Sequence, residues 1–270
     1  MDINLLTEVE ALCLNSLIDE AKHIVIFSHR SPDGDAIGSS LGMASYLKSR
    51  GKEDVNIVVP DMFPNFLQWM PGAEGILRYD KKKEVVEKVV SEADLMFCLD
   101  FNDASRTAEV EPLITSSDAR KVLVDHHLDP AVNVDLQISH PEACSTCELV
   151  FRLVWQLGGF DYVNKDFAVP VYCGMMTDTG GFTYNSTRPE IFFIISQLLT
   201  KGINKDKIYR NVFNNYSVWR LRLMGYVMYA KLNVLAEWHA AYFTLTKQDL
   251  KHFHFMKGDA EGLVNMPLQI

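Results

Sequence analysis

Through the first two hundred residues, short apolar runs alternate with longer segments whose apolar positions recur every three or four residues. The runs are "HIVIFS" (23–28), "DVNIVVP" (54–60), "DLMFCLD" (94–100) and "KVLVDHH" (121–127). A strand with one wetted face alternates apolar and polar residues, whereas a strand apolar on successive positions must be covered on both faces. Parallel sheets meet that demand because their crossovers lay helices on each side. The intervening segments fit: "AIGSSLGMASYLKSRG" predicts a helix stopped by Gly51, and "KKKEVVEKVVSEA" has apolar positions at helical spacing. The pattern predicts an α/β fold, a parallel sheet with helices on both faces.

Residues 3–22 read as an opening helix, and "STCELVFRLVWQLGG" as a helix with a capping box between Ser145 and Glu148. "TRPEIFFIISQLLTKG" shows a capping Thr187, a proline in the first turn and a terminating glycine. Beyond it come a linker with one long helix and a new strand at "HAAYFTLT". The expected division is a catalytic domain over 1–200, a helical linker over 201–236, and the start of a smaller α/β C-terminal domain over 237–270. The apolar end "EGLVNMPLQI" makes that last unit read as incomplete.

At 270 residues and 48% hydrophobic, the chain can bury a sizeable core. A net charge of −9 argues against a scaffold for long duplex nucleic acid, which needs an excess of lysine and arginine. No run approaches the roughly 20 apolar residues of a membrane span, so no membrane partner is expected. Self-association stays open. Five cysteines and an acidic N-terminus without a signal-peptide pattern predict a reduced, cytoplasmic setting. Cys144 and Cys147 form a C-x-x-C pair, but no second pair completes a zinc site, and the helix cap accounts for the stretch.

In an open parallel sheet, ligands gather beyond the carboxyl ends of the strands. The first run ends in "HRSPDGDAIGS" (29–39), which carries His29, Asp33 and Asp35. The third ends in Asp100, the fourth in Asp125, His126 and His127, and Asp178 stands in "GMMTDTGGF". Turn chemistry and helix capping would account for any one of these stretches. Four in strand order would need four separate accounts of that kind. Carboxylates crowded into one crevice repel each other, and some stay protonated unless a cation neutralises them. Two divalent ions balance the four aspartates 33, 35, 100 and 178 in formal charge. Oxygen ligands with few imidazoles suit Mn²⁺ first and Mg²⁺ next, with iron or zinc as further candidates. A metal pair about 3.5–4 Å apart clamps the attacking and leaving oxygens of a displacement at phosphorus.

Taken together, "HRSPDGDAIGS", "LDFNDASR", "VDHH" and "TDTGGF" resemble the four motifs of the DHH phosphoesterase superfamily, over about residues 22–185. The resemblance implies one metal held by His29, Asp33, Asp100 and Asp178. It implies a second held by Asp35, Asp100, His126 and Asp178, with Asp100 and Asp178 bridging. The attacking water would be activated between the ions. His127 would face the scissile phosphate as a hydrogen-bond or proton donor to the leaving oxygen. Arg106 would bind a phosphate, with a surface salt bridge as its competing role. The segment "FTLTKQDLKHFHFMKGDAEGLVNMPLQI" is similar to the start of the substrate domain in the bacterial branch that degrades very short RNAs and dephosphorylates 3'-phosphoadenosine 5'-phosphate. In that branch a glycine-rich, histidine-bearing stretch follows, so the resemblance predicts a fragment of a longer protein.

Three functions compete. The first is a metal-dependent phosphoesterase acting on short oligoribonucleotides, dinucleotides or 3'-phosphoadenosine 5'-phosphate. The second keeps the centre but changes the substrate to a linear or cyclic dinucleotide or pyrophosphate. The third is a nucleotide-binding module without catalysis, which the complete ligand set disfavours. Phe182 and Tyr184 either stack a base or pack the domain. Arg220 and Arg222 read as the solvated side of an amphipathic helix, and His252 and His254 are given no ligand role.

Overall fold

The computed structural model describes residues 3–260 and 262–270. Helix α1 (Glu8–Glu20) leads into β1 (His23–Phe27), α2 (Gly34–Ser49), β2 (Asp54–Val59), β3 (Leu77–Arg78), α3 (Lys83–Glu92) and β4 (Leu95–Leu99). After a 3-10 stretch, Ala104–Val110, come α4 (Glu111–Thr115), β5 (Arg120–Asp125), β6 (Leu136–Ser139), α5 (Thr146–Gln156), α6 (Lys165–Asp178) and α7 (Pro189–Thr200). The remainder is α8 (Lys205–Phe213), α9 (Val218–Tyr226), β7 (Asn233–Leu235), β8 (Ala240–Tyr242) and α10 (Lys247–His252).

The first six strands form one parallel sheet in the order β3-β2-β1-β4-β5-β6, and β7 pairs antiparallel with β8. Both faces of the sheet are covered. Ile24 and Ile26 of β1 point into a core with Ile37 of α2, Phe151 of α5 and Val171 of α6, whereas Val25 and Phe27 point into a second core with Val86 and Val90 of α3. Burial on both sides is why the strands read as continuous apolar runs. The strand order reverses between β1 and β4, where the connections diverge to opposite sides and leave a crevice at the carboxyl ends.

Close packing of α2 on α6 shapes one wall of that crevice. A Cβ on Gly34 would lie 2.2 Å from Thr177 Oγ1, one on Gly38 2.5 Å from the Pro170 carbonyl oxygen, and one on Gly42 2.5 Å from Val171 Cγ2. Glycine spaced every fourth residue therefore lets the two helices approach, which sets the end of α6 beside the start of α2.

Several local expectations change. Helix α1 starts at Glu8 because Thr7 and Glu10 close a capping box, and the residues before it are tied instead to Gln156, which accepts from the Leu5 and Leu6 amides at 2.9 Å. Ser145 caps α5, but Glu148 does not complete the box: its carboxylate takes the Cys144 amide (2.8 Å) and Arg188 (2.6 Å). Thr187 is not the cap of α7, whose N-cap is Arg188 with Pro189 beginning the helix. The single long linker helix is broken into α8 and α9, with Ser217 capping the second. Strands β3 and β6 went unseen in the apolar pattern because they are short edge strands, and Gln137 of β6 faces solvent. A third, separate apolar cluster joins Leu223, Val227 and Leu263. Among the described residues, no helix is long and apolar enough to cross a membrane.

Candidate active site

The turn after β1 is fixed from several sides. His29 Nδ1 lies 2.8 Å from the Arg30 carbonyl oxygen, and Asp33 caps α2 by accepting from the Asp35 and Ala36 amides at 3.0 Å through one oxygen. Asp35, in the first turn of α2, is buried. Its two oxygens accept from the backbone amides of Thr146 (2.6 Å) and Cys147 (2.8 Å), the opening residues of α5. A helix N-terminus presents unpaired amides and a partial positive charge, which suits a carboxylate.

Asp100 follows β4 with a positive φ of 65°, a left-handed conformation that costs energy for a residue other than glycine and clusters at functional sites. Thr146 donates its hydroxyl to Asp100 Oδ1 at 3.0 Å. At the end of β5, His126 Nδ1 faces the Ala143 carbonyl oxygen at 3.3 Å, and His127 Nδ1 is bonded to the fully buried Asp125 at 2.7 Å. Asp178 closes α6.

These pieces meet beyond the strand ends. His29 Nε2 is 3.5 Å from Asp100 Oδ2, and His126 Nε2 is 3.4 Å from Asp178, 3.6 Å from Asp100 Oδ1 and 3.8 Å from Asp35. Three groups have potential ligand atoms within 4.8 Å of one another: His29 with Asp33 and Asp100, Asp35 with His126 and Asp178, and Asp100 with His126 and His127. Asp100 thus reaches both imidazoles with different oxygens. Asp178 stands in the group of Asp35 and His126.

The electrostatics match a cation site. Burial, then the charges of Asp100 and Asp33, push the Asp35 carboxyl well above the usual carboxylate range. Asp100 is raised in the same way by burial and by Asp33, Asp178 and Asp125. Asp178 is pushed up to about 9 by burial and by Asp35 and Asp33. Burial and neighbouring His127 lower His126, which keeps its imidazole neutral. With Nδ1 donating to a carbonyl, the Nε2 atoms of His29 and His126 turn lone pairs toward carboxylates. At 3.4–3.8 Å these contacts are long for direct hydrogen bonds and leave the ring nitrogens and carboxyl oxygens converging on shared points, where either a carboxyl proton or a cation can sit. The residues therefore fit a divalent cation, held by oxygen with a minority of imidazole.

Arg106 sits in the 3-10 stretch after β4, its carbonyl accepting from the Arg30 amide at 2.8 Å. Among the described residues it makes no salt bridge. Phe182 packs on Tyr172 (5.6 Å between centroids), while Tyr184 lines a cavity of about 730 Å³ that Asp33 and Asp178 border. The same cavity is lined by Phe66, Tyr216 and Arg220. Arg220 is not on a solvated face: it is 7% exposed and lies over the Tyr216 ring at 3.9 Å. Cys144 and Cys147 are buried, and burial raises both thiols, so neither presents a thiolate. Reading the sequence missed the α5 amides on Asp35, although the Ser145 cap announced a helix N-terminus there.

Comparison with known proteins places these residues in a family context. The model of the DHH family, N-terminal domain, matches residues 23–175 and ends just before Asp178. The bifunctional oligoribonuclease and PAP phosphatase of Thermus thermophilus is 34% identical over 206 residues, covering 76% of this chain and 58% of its own length. A cyclic-di-AMP phosphodiesterase of Listeria monocytogenes is 28% identical over 177 residues, covering 63% of this chain and 27% of its own. The crystal structure of an exopolyphosphatase-related protein from Bacteroides fragilis superposes with a TM-score of 0.93 at 50% identity, over 98% of this chain and 78% of that one. This chain spans little more than half the length of the Thermus relative.

Proposed function

This chain belongs to the DHH family, and from that premise we propose that it is a metal-dependent phosphoesterase that hydrolyses short oligonucleotides and 3'-phosphoadenosine 5'-phosphate. The observation that carries the reading is the meeting of His29, Asp33, Asp35, Asp100, His126 and Asp178 at the point where the strand order reverses. The substrate class is that named for the Thermus relative.

In this reading His29, Asp33, Asp100 and Asp178 would hold one divalent ion and Asp35, Asp100, His126 and Asp178 a second, with Asp100 and Asp178 shared; the side-chain groupings support the shared role of Asp100 and set Asp178 with Asp35 and His126. Manganese is the proposed metal. Such ions would neutralise the crowded carboxylates and supply Lewis-acid activation at phosphorus. The chain's own residues do the rest. The carbonyls of Arg30 and Ala143 fix the tautomer of each imidazole and aim Nε2 inward. Asp125 holds His127 by Nδ1, which leaves Nε2 as the ring atom that donates to the leaving oxygen when the ring carries both protons, a form the Asp125 carboxylate pairs with. Arg106 offers a planar fork of donors to a phosphate. Residues 1–200 form the catalytic unit, whose core also takes in Ile203, Ile208 and Val212 at the start of the 201–236 linker, and 237–270 belong to a substrate-binding unit. The net charge of −9 suits a small substrate in a cleft, in a cytoplasmic setting.

The test is phosphate release from 3'-phosphoadenosine 5'-phosphate and cleavage of a labelled diribonucleotide, with and without Mn²⁺, by the protein at its full natural length. Manganese-dependent turnover of either supports the reading. Binding without turnover would make it a nucleotide-binding module, and turnover confined to cyclic-di-AMP would transfer it to the activity of the Listeria relative.

A further inference from the structure

The loop after β2 takes no part in the metal cluster, yet one of its side chains touches both the turn that carries His29 and Asp33 and the C-terminal segment. Asp61 Oδ1 accepts from the Ser31 amide at 2.6 Å, and Asp61 Oδ2 accepts from Lys257 Nζ at 2.7 Å. Ser31 has a positive φ of 54°. A serine held in the left-handed region needs a fixed partner to keep it there. On one side of it Arg30 donates its amide to the Arg106 carbonyl, and on the other Asp33 is committed to capping α2. Asp61 thus secures the middle of a turn whose two ends are already pinned.

Lys257 brings its own surroundings. Next to it, Gly258 lies against the loop so closely that a Cβ would stand 3.1 Å from Pro64 and 3.2 Å from Phe66. Phe66, with Gly262 and Asn265 from the C-terminal segment, lines the cavity that Asp33 and Asp178 border. Seating of the C-terminal segment and the shape of the turn therefore meet on one carboxylate.

We propose that Asp61 is a positioning residue: it holds the His29–Asp33 turn in its ligand-presenting shape, and Lys257 steadies it from the C-terminal side. The proposal rests on the phosphoesterase reading only for the identity of the ion. Partners that orient metal ligands without touching the metal commonly change affinity by about 10–100-fold when removed.

The experiment titrates Mn²⁺ into metal-free protein by calorimetry and follows amide exchange at Ser31 in the same protein without metal. Asp61→Ala should weaken Mn²⁺ binding about tenfold and expose the Ser31 amide to exchange. Asp61→Asn keeps a carbonyl oxygen for that amide, so it should restore both readouts most of the way while losing the charge pair. Lys257→Met should have a small effect alone and none in an Asp61→Ala background, because it acts only through Asp61. Wild-type Mn²⁺ affinity and Ser31 protection in Asp61→Ala would overturn the proposal, as would equal losses in Asp61→Ala and Asp61→Asn. A wild-type protein that binds no Mn²⁺ would defeat the phosphoesterase reading instead, while Ser31 exchange would still decide the role of Asp61.

Discussion

Replacing Gly38 by alanine adds one methyl group to a close backbone contact between two helices beside the site. The new Cβ would stand 2.5 Å from the Pro170 carbonyl oxygen, 2.9 Å from Cys147 Sγ and 3.2 Å from Gly174 Cα. Two of those atoms belong to the backbone of α6, so no side-chain rotation relieves the overlap. Ordinary contact begins at about 3.5 Å, so α2 and α6 must separate by roughly 1 Å. Overpacking of this kind costs about 1–3 kcal/mol, against a gain of about 1 kcal/mol from replacing glycine within a helix. Because the clashing oxygen is backbone and cannot step aside, the upper half of that range applies, and the expected net loss is about 1–2 kcal/mol, or a fall in Tm of about 2–8 °C for a chain of this size. Gly225→Ala is the control: it lies exposed in α9 with nothing within 4 Å of its added Cβ, so the same change should raise Tm. Thermal melts of the metal-free proteins measure both. If Gly38→Ala melts at or above the wild type, close approach of the helices is not what glycine provides there. Separation of α6 from α2 also moves Asp178 away from Asp35, so Mn²⁺ affinity should fall in Gly38→Ala and not in Gly225→Ala.

Asp100→Ala removes the residue that reaches both imidazoles, so metal content by elemental analysis and turnover should both collapse; two bound metals at normal rate would refute its shared role. His127→Ala should keep the metals and lose rate by about 10²–10⁴-fold, and a fall in metal content would instead make His127 a ligand. The raised carboxyl of Asp178, at about 9, binds a proton at neutral pH that the unfolded chain does not hold. Metal-free protein should therefore lose stability as pH climbs from the ordinary carboxylate range toward 9, because the folded state must give up that proton. Mn²⁺ affinity should rise over the same interval with proton release on binding, and a pH-independent affinity between 6 and 9 would contradict the shift.

The sheet was legible because strands covered on both faces cannot alternate, and the candidate ligands were legible because strand ends in such a sheet share one crevice. What stayed hidden depended on contacts distant in sequence. Glu148 looked like the partner of the Ser145 cap, but Arg188, forty residues on, competes for its carboxylate. Arg220 looked solvated from its helical spacing, yet Tyr216 and the loop carrying Phe66 cover it. Edge strands β3 and β6 carry too few apolar positions to stand out. Nothing local marks Asp61 as a partner of Ser31, since the two meet only when β1 and β2 lie side by side.

The hold on Asp35 has a bearing on how such a chain drifts. Its two donors are main-chain amides at positions 146 and 147, so almost any codon change there leaves them intact. Only proline deletes an amide, and the first turn of a helix is where proline is otherwise well tolerated. Lineages should accordingly vary at position 147 only among side chains about as small as its buried cysteine, which packs against Gly38 and Gly174, while avoiding one imino acid that the helix itself would accept.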